Sequence, residues 1–275
     1  MIGQLVGVIG VGNLGAAMAR RLAGEGFDVV AFDVNQAALD AVATHGIQRA
    51  SSPADIGGVA SVVCLVVSDA LQVRDTLFGP SGIATHASPG TAILLHSTIG
   101  PGAAKEIGGE CTAAGLVLID APVSGGAEAA LEGRLAVMVG SDDALTGDCA
   151  TVLACLGGKV ERLGPVGSGQ AVKIANQILT FTSQAALLEA LSVTSALGVD
   201  HQKALAIFER GLADSWAVRN YGFFENLSAE YDRAGVPSDK RPWNKDLEIA
   251  LDVCRDLGLP VPVTSTVQSV VESGW

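Results

Sequence analysis

Basic side chains are scarce in this sequence. Lys and Arg number 17 against 29 Asp and Glu, for a formal net charge of −12. So acidic a chain repels phosphate backbones and anionic membrane surfaces, which excludes wholesale nucleic-acid binding. Cysteines are few: Cys64, Cys111, Cys149, Cys155 and Cys254 are odd in number, form no C-x-x-C pair and have no histidines at zinc-ligand spacing. No metal site is expected from them, and they read as reduced, mostly buried thiols. A long uninterrupted apolar run is also missing. The richest later stretch, 178–199, is broken by Gln184 and Glu189, which disfavours a membrane span. The first twelve residues are apolar but carry no basic leader and run directly into a glycine-rich loop, so they read as the start of a fold rather than a signal peptide. The cytoplasm is the expected location. Neither an internal repeat nor a low-complexity run is visible.

What is present is apolar substance: 49% of the 275 residues are hydrophobic, enough for one large core or a core domain with a smaller one. Between positions 5 and 163, short β-branched runs alternate with Ala-rich segments of helical period, the pattern of βαβ units and a parallel sheet. Strands are predicted over 5–9, 29–33, 62–66, 92–96, 117–121, 135–139 and 160–163, with helices over 13–24, 36–45, 70–77, 102–114 and 142–156. The fold class is therefore α/β, a doubly wound Rossmann-like domain over 1–164. From Ser168 onward only helical periodicity remains, which predicts a smaller all-α domain over 165–275 that opens with a long interdomain helix, 168–197, stopped at Gly198. Seven of the twelve aromatic residues fall between Phe208 and Trp243; core or subunit interface is the expected use, with the lining of a ligand site as the alternative.

The first motif with chemistry is G-V-G-N-L-G at 10–15, between a five-residue apolar strand and an Ala-rich helix. Gly10 permits the tight turn, Gly12 lets backbone approach a pyrophosphate, Gly15 lets helix pack on strand, and the turn through Asn13 and Leu14 presents unpaired N–H groups to the anion. Asp33 closes the next strand, where an acid accepts hydrogen bonds from the adenosine ribose. The residues after it, Val34, Asn35 and Gln36, include no arginine for a 2′-phosphate, so NAD is expected over NADP, with Arg49 the nearest base that could reverse the preference.

In the long helix, Lys173, Asn176, Gln177, Thr180 and Gln184 recur along one narrow face while the other faces are aliphatic. Such a stripe either meets solvent or lines a cleft. A partly buried lysine has its ammonium form disfavoured and can exchange a proton with an alcohol; residues alone leave that role open against a structural or solvent-exposed lysine.

Four blocks in this order resemble the β-hydroxyacid dehydrogenase family, which includes 3-hydroxyisobutyrate dehydrogenases and tartronate semialdehyde reductases and is related to 6-phosphogluconate dehydrogenase. They are G-V-I-G-V-G-N-L-G-A-A-M-A at 7–19, D-A-P-V-S-G-G at 120–126, G-P-V-G-S-G-Q-A-V-K-I-A-N-Q at 164–177 and K-D-L-E-I-A at 245–250. The resemblance implies hydride transfer between a nicotinamide and a small 3-hydroxy acid or its semialdehyde, without a metal. It implies Lys173 as general acid/base, Asn176 as the substrate-orienting neighbour, and Ser124, Gly125 and Gly126, with Asn176 and Gln177, as substrate contacts. Lys245 is implied to close over the nicotinamide side. H-S-T-I at 96–99 resembles the family's strand-end loop, making Thr98 a cofactor contact, together with Val66 or Val67 in the preceding loop. A homodimer or homotetramer is implied as well.

Three positions depart from the family pattern: Gln177 replaces a second asparagine, His96 an acidic residue and Arg134 a small one. The sequence also stops at Trp275, earlier than typical members, which implies a shortened last helical segment. These departures bear on the substrate more than on the reaction. The rivals are an NADPH-dependent semialdehyde or imine reductase on the same scaffold, whose imine-reducing members generally lack the lysine, and a non-catalytic dinucleotide sensor, which has no need of Ser124, Lys173, Asn176 and Lys245 together.

Overall fold

The computed structural model describes residues 5–145, 147–233 and 235–272; Trp275 lies outside them. The chain divides into two compact units, Met1–Lys173 and Ile174–Trp275.

In the first unit, continuous apolar runs become strands because both of their faces are covered. The elements follow as β1 (Leu5–Ile9), α1 (Asn13–Gly24), β2 (Asp28–Phe32), α2 (Gln36–Ala43), β3 (Gln48–Arg49), α3 (Pro53–Gly57), β4 (Val62–Leu65), α4 (Ala70–Phe78), β5 (Ala92–Leu95), α5 (Pro101–Ala113) and β6 (Val117–Asp120). These strands lie parallel in the order β3-β2-β1-β4-β5-β6. Alternate side chains enter opposite layers. Cys64 and Leu94 join Met18 and Leu22 of α1 on one side, while Leu65 and Leu95 meet Leu77 of α4 and Ile107 of α5 on the other. The order reverses direction at β1, so the loops after β1 and β4 border the crevice where open α/β sheets bind ligands.

The sheet is parallel as expected except in its last third. The chain continues through β7 (Val123–Ser124), α6 (Gly126–Leu131), β8 (Leu135–Gly140), α7 (Gly147–Leu156) and β9 (Gly157–Gly164). β8 runs antiparallel to β6 and β7 but parallel to β9. A parallel return needs a crossover of a dozen or more residues. The six-residue α6 cannot supply one, whereas α7 and its loop can. α7 also starts later than the predicted position 142, because Arg162 Nη2 and Ser141 Oγ hold the carbonyls of residues 141–143 in a loop.

Beyond position 164 the described residues form only helices: α8 (Ser168–Ala196), α9 (His201–Phe208), α10 (Trp216–Arg219), α11 (Phe223–Arg233), α12 (Pro242–Asp256) and α13 (Pro262–Glu272), with one turn of 3₁₀ helix at Ser238–Lys240. α8 ends as predicted at Gly198, whose φ of +77° is open to glycine. The N–H of Val199 reaches Thr194 O and that of Gly198 reaches Ser195 O, which satisfies the last carbonyls of the helix. Phe224 and Trp243 are buried in the core of the second unit and pack edge to face, 6.0 Å between centroids, so that part of the aromatic cluster serves packing. No helix among the described residues is long and apolar enough to cross a membrane.

Candidate active site

The glycine-rich loop is shaped by contacts its own backbone makes. Gly10 has a φ of +86°, and a Cβ there would fall 2.1 Å from the Val66 carbonyl oxygen; a Cβ on Gly15 would fall 1.8 Å from Gly10 O. The loop is thus pressed against Val66, at the end of β4, and against its own helix. At Gly12, by contrast, nothing lies within 4 Å of an added Cβ. Gly12 is also the N-cap of α1, which has no side-chain cap and no acidic residue in its first turn. Backbone open to close approach, at a helix end with a positive dipole, fits a dinucleotide pyrophosphate. An apolar groove of about 350 Å³, lined by Val11, Gly12, Asn13 and Ala16 among others, borders the same turn.

Asp33 lies just past the end of β2 rather than within it. Its Oδ2 accepts the Val11 N–H at 2.7 Å and its Oδ1 the Asn35 N–H at 2.8 Å. The carboxylate therefore fixes the glycine loop, and each oxygen keeps a second lone pair for a ribose hydroxyl. Val34 next to it is exposed. Arg49, paired in β3 with Ala31 of β2, is engaged by the carboxylate of Asp40.

Two hydrogen bonds tie together the segments that carry other predicted positions of the first unit. Val67 N donates to Ser97 Oγ at 2.9 Å, joining the loop after β4 to the loop holding Thr98. His96 Nδ1 lies 2.7 Å from the Ala121 carbonyl, joining the end of β5 to the segment that leads into Ser124. That contact makes Nδ1 the protonated nitrogen. His96 Nε2 is buried without a hydrogen-bond partner. Burial outweighs the bond to Ala121 and lowers the pKa of His96 from 6.5 to about 4. Ser124 ends β7, and Gly125 and Gly126 follow with φ of +135° and +74°. A Cβ on Gly125 would lie 2.7 Å from that of Ala129, so the turn has no room for a side chain there.

α8 presents its polar stripe inward: Lys173, Gln177 and Gln184 are buried, with Lys173 only 8% exposed, whereas Val172, Leu179 and Val193 are exposed. The solvent-facing alternative for the stripe is thereby excluded, and it is an aliphatic face that lies open. Within the second unit, Asn176 Nδ2 donates to Gln177 Oε1 at 3.2 Å and Gln177 Nε2 to Asp246 Oδ2 at 2.6 Å, while Lys245 Nζ lies 3.2 Å from Asp246 Oδ1. Asp246 thus gathers two predicted residues, Gln177 and Lys245, and through Gln177 a third, Asn176. Arg134 is exposed and ion-paired with Glu132.

Sequence reasoning missed Asp246, Asp120 and Gln170. All three lie inside the family-like motifs, but their partners are 47 to 73 positions away, where no periodicity points.

Two family models account for nearly all of the chain. Residues 5–164 match the NAD binding domain of 6-phosphogluconate dehydrogenase, and residues 167–274 match the NAD-binding domain of NADP-dependent 3-hydroxyisobutyrate dehydrogenase. L-threonate dehydrogenase of Cupriavidus necator is 33% identical over 271 residues, spanning 96% of this chain and 88% of its own length. Mitochondrial 3-hydroxyisobutyrate dehydrogenase of Bos taurus is 34% identical over 273 residues, spanning 96% and 80%. The crystal structure of a 3-hydroxyisobutyrate dehydrogenase from Salmonella typhimurium superposes with a TM-score of 0.83 at 30% identity, covering 98% of this chain and 93% of that one.

Proposed function

This chain belongs to the β-hydroxyacid dehydrogenase family, and we propose that it oxidises a small 3-hydroxy acid, or reduces the matching semialdehyde, with NAD as cofactor and Lys173 as general acid/base. That it is an NAD(P)-dependent dehydrogenase of hydroxy acids follows from the family. The narrower substrate class is supported by the relatives' names, since 3-hydroxyisobutyrate and 2-(hydroxymethyl)glutarate both carry a primary hydroxyl on the carbon β to a carboxylate. The observation that carries the proposal is a buried amine. Lys173 is enclosed on a stripe of amides, one turn after a residue bonded to the loop of Thr98.

Bound NAD(P) supplies the two-electron acceptor for the hydrogen on the carbinol carbon. Residues Gly10–Gly15, with Asp33, Val66, Val67 and Thr98, would hold it. Lys173 takes the hydroxyl proton during oxidation and returns it during reduction. Ser124, Gly125 and Gly126 anchor the substrate, Asn176 and Gln177 orient it, and Lys245 attends the nicotinamide side. NAD over NADP is supported by apolar Val34 beside Asp33 and by the engagement of Arg49 with Asp40. A cytoplasmic homodimer or homotetramer completes the reading; the exposed apolar residues Leu179, Val193 and Leu197 support assembly.

The test is Lys173→Ala, assayed by nicotinamide absorbance against a panel of 3-hydroxy acids. Turnover falls by about 10²–10⁴ while NADH affinity holds. Retained turnover would refute the assignment.

A further inference from the structure

We propose that Asp120 and Gln170 are positioning residues that lock the 97–100 loop and the first turn of α8 into one polar unit, and so set where Thr98 and Lys173 stand. The inference rests on Lys173 being the acid/base.

Both side chains are fully enclosed, at 0% exposure. Gln170 Oε1 accepts the N–H groups of Ile99 at 2.9 Å and Gly100 at 3.2 Å. Its Nε2 donates to Ser97 O and to Asp120 Oδ1, both at 2.9 Å. Asp120 Oδ2 accepts the N–H groups of Gly167 and Gln170 at 3.0 Å each.

The polarity of this set is determined throughout. Every neighbour bonded to Asp120 is a donor, so it is held as a carboxylate, at the N-terminal end of α8 where the helix dipole favours an anion. Burial raises its pKa; the bonds from Gln170 and the glycine N–H groups oppose that rise. With Asp120 charged, the Gln170 amide has one orientation. Flipped, its oxygen would face a carboxylate and a carbonyl, and its nitrogen would face two N–H groups.

The cradle is closed sterically as well. A Cβ on Gly140 would fall 2.8 Å from Asp120 Oδ2, and one on Gly169 would fall 2.9 Å from it. Neither partner can shift without dragging the backbone of another motif. Lys173 follows Gln170 by three residues, on the neighbouring position of the same helix face. Ser97, whose carbonyl is bonded to Gln170, also receives the Val67 N–H. Three motifs far apart in the sequence are therefore joined through one amide.

Gln170→Glu tests this, with Gln170→Met alongside. At pH 8 the introduced carboxylate opposes Asp120, and kcat falls about 10²-fold, the scale expected for a misplacement near 1 Å. Toward pH 5.5 the introduced carboxyl gains a proton and can donate to Asp120 again, so kcat relative to wild type recovers tenfold or more. Gln170→Met loses kcat without that recovery. Substrate KM stays within a few-fold of wild type in both, and NADH affinity falls by no more than about tenfold, the share of the single contact at Thr98, since the glycine loop is untouched; kcat is read at saturating cofactor. A folded Gln170→Glu with wild-type kcat, a loss that does not recover in acid, a loss explained by weaker cofactor binding, or failure of both variants to fold would each overturn the proposal. Lys173→Ala measured in parallel separates the two ideas. If it is active, the acid/base reading fails. If it is inactive while the Gln170 variants match wild type, only the positioning role fails.

Discussion

Replacing His96 with asparagine should make the protein more resistant to acid. The buried imidazole is neutral in the fold, with Nδ1–H on the Ala121 carbonyl and a pKa lowered from 6.5 to about 4. The unfolded chain takes up a proton near 6.5 while the folded chain does not. Stability from this group is therefore whole above pH 6.5 and is lost as pH falls toward 4. The gap between 6.5 and about 4 corresponds to about 3 kcal/mol, a sizeable part of the ~5–15 kcal/mol that holds a typical domain together. Asp120 works the opposite way, because burial raises its pKa and the folded state binds its proton first as pH falls; present in both proteins, it cancels in the comparison. The amide introduced by His96→Asn can still donate to Ala121 O, so the substitution keeps that bond and removes the titration. Urea unfolding at intervals between pH 7.5 and 4 should show wild type losing about 3 kcal/mol more than the variant. Parallel curves, or an imidazole that titrates near 6.5 in a folded-state NMR experiment, would defeat the reasoning.

Two other substitutions probe the remaining contacts. Gln177→Asn withdraws the amide by one methylene from the buried carboxylate of Asp246, 2.6 Å away; unfolding free energy should drop by about 2 kcal/mol, as for a lost bond to a charged group, and denaturant titration reads it directly. Asp33→Asn keeps an acceptor for the Val11 N–H but removes the charge beside the ribose; the ratio of kcat/KM with NAD to that with NADP should fall about tenfold, equivalent to about 1.4 kcal/mol of relieved repulsion, and an unchanged ratio would detach cofactor preference from this residue.

The elements that could be read from the sequence were those whose side chains all do one thing. β4 and β5 are apolar at each position because both faces are covered, and α8 stops at a glycine in the left-handed region, which few other residues enter. β9 was predicted short, over 160–163, because as Gly157–Gly164 it is glycine-rich and charged, with most of its residues partly or fully exposed. The antiparallel turn of β8 depends on the length of α6, a segment for which the sequence pattern predicted no element between 121 and 135. In the candidate site, the glycine turn and the polar stripe that carries Lys173 were visible as local patterns. The inward aim of the polar stripe was not, because spacing defines a face of a helix without saying what covers it. Asp120, Gln170 and Asp246 were hidden for a related reason: each is bonded to a partner far along the chain.

The three glycines of the phosphate turn hold unequal obligations. Positions 10 and 15 are demanded by neighbouring backbone whatever the protein binds, while position 12 is empty space that only a visitor requires. A descendant that gave up nicotinamide chemistry could fill position 12 and keep its architecture whole, so in this lineage the ability to fold and the ability to catalyse can part company at a single codon.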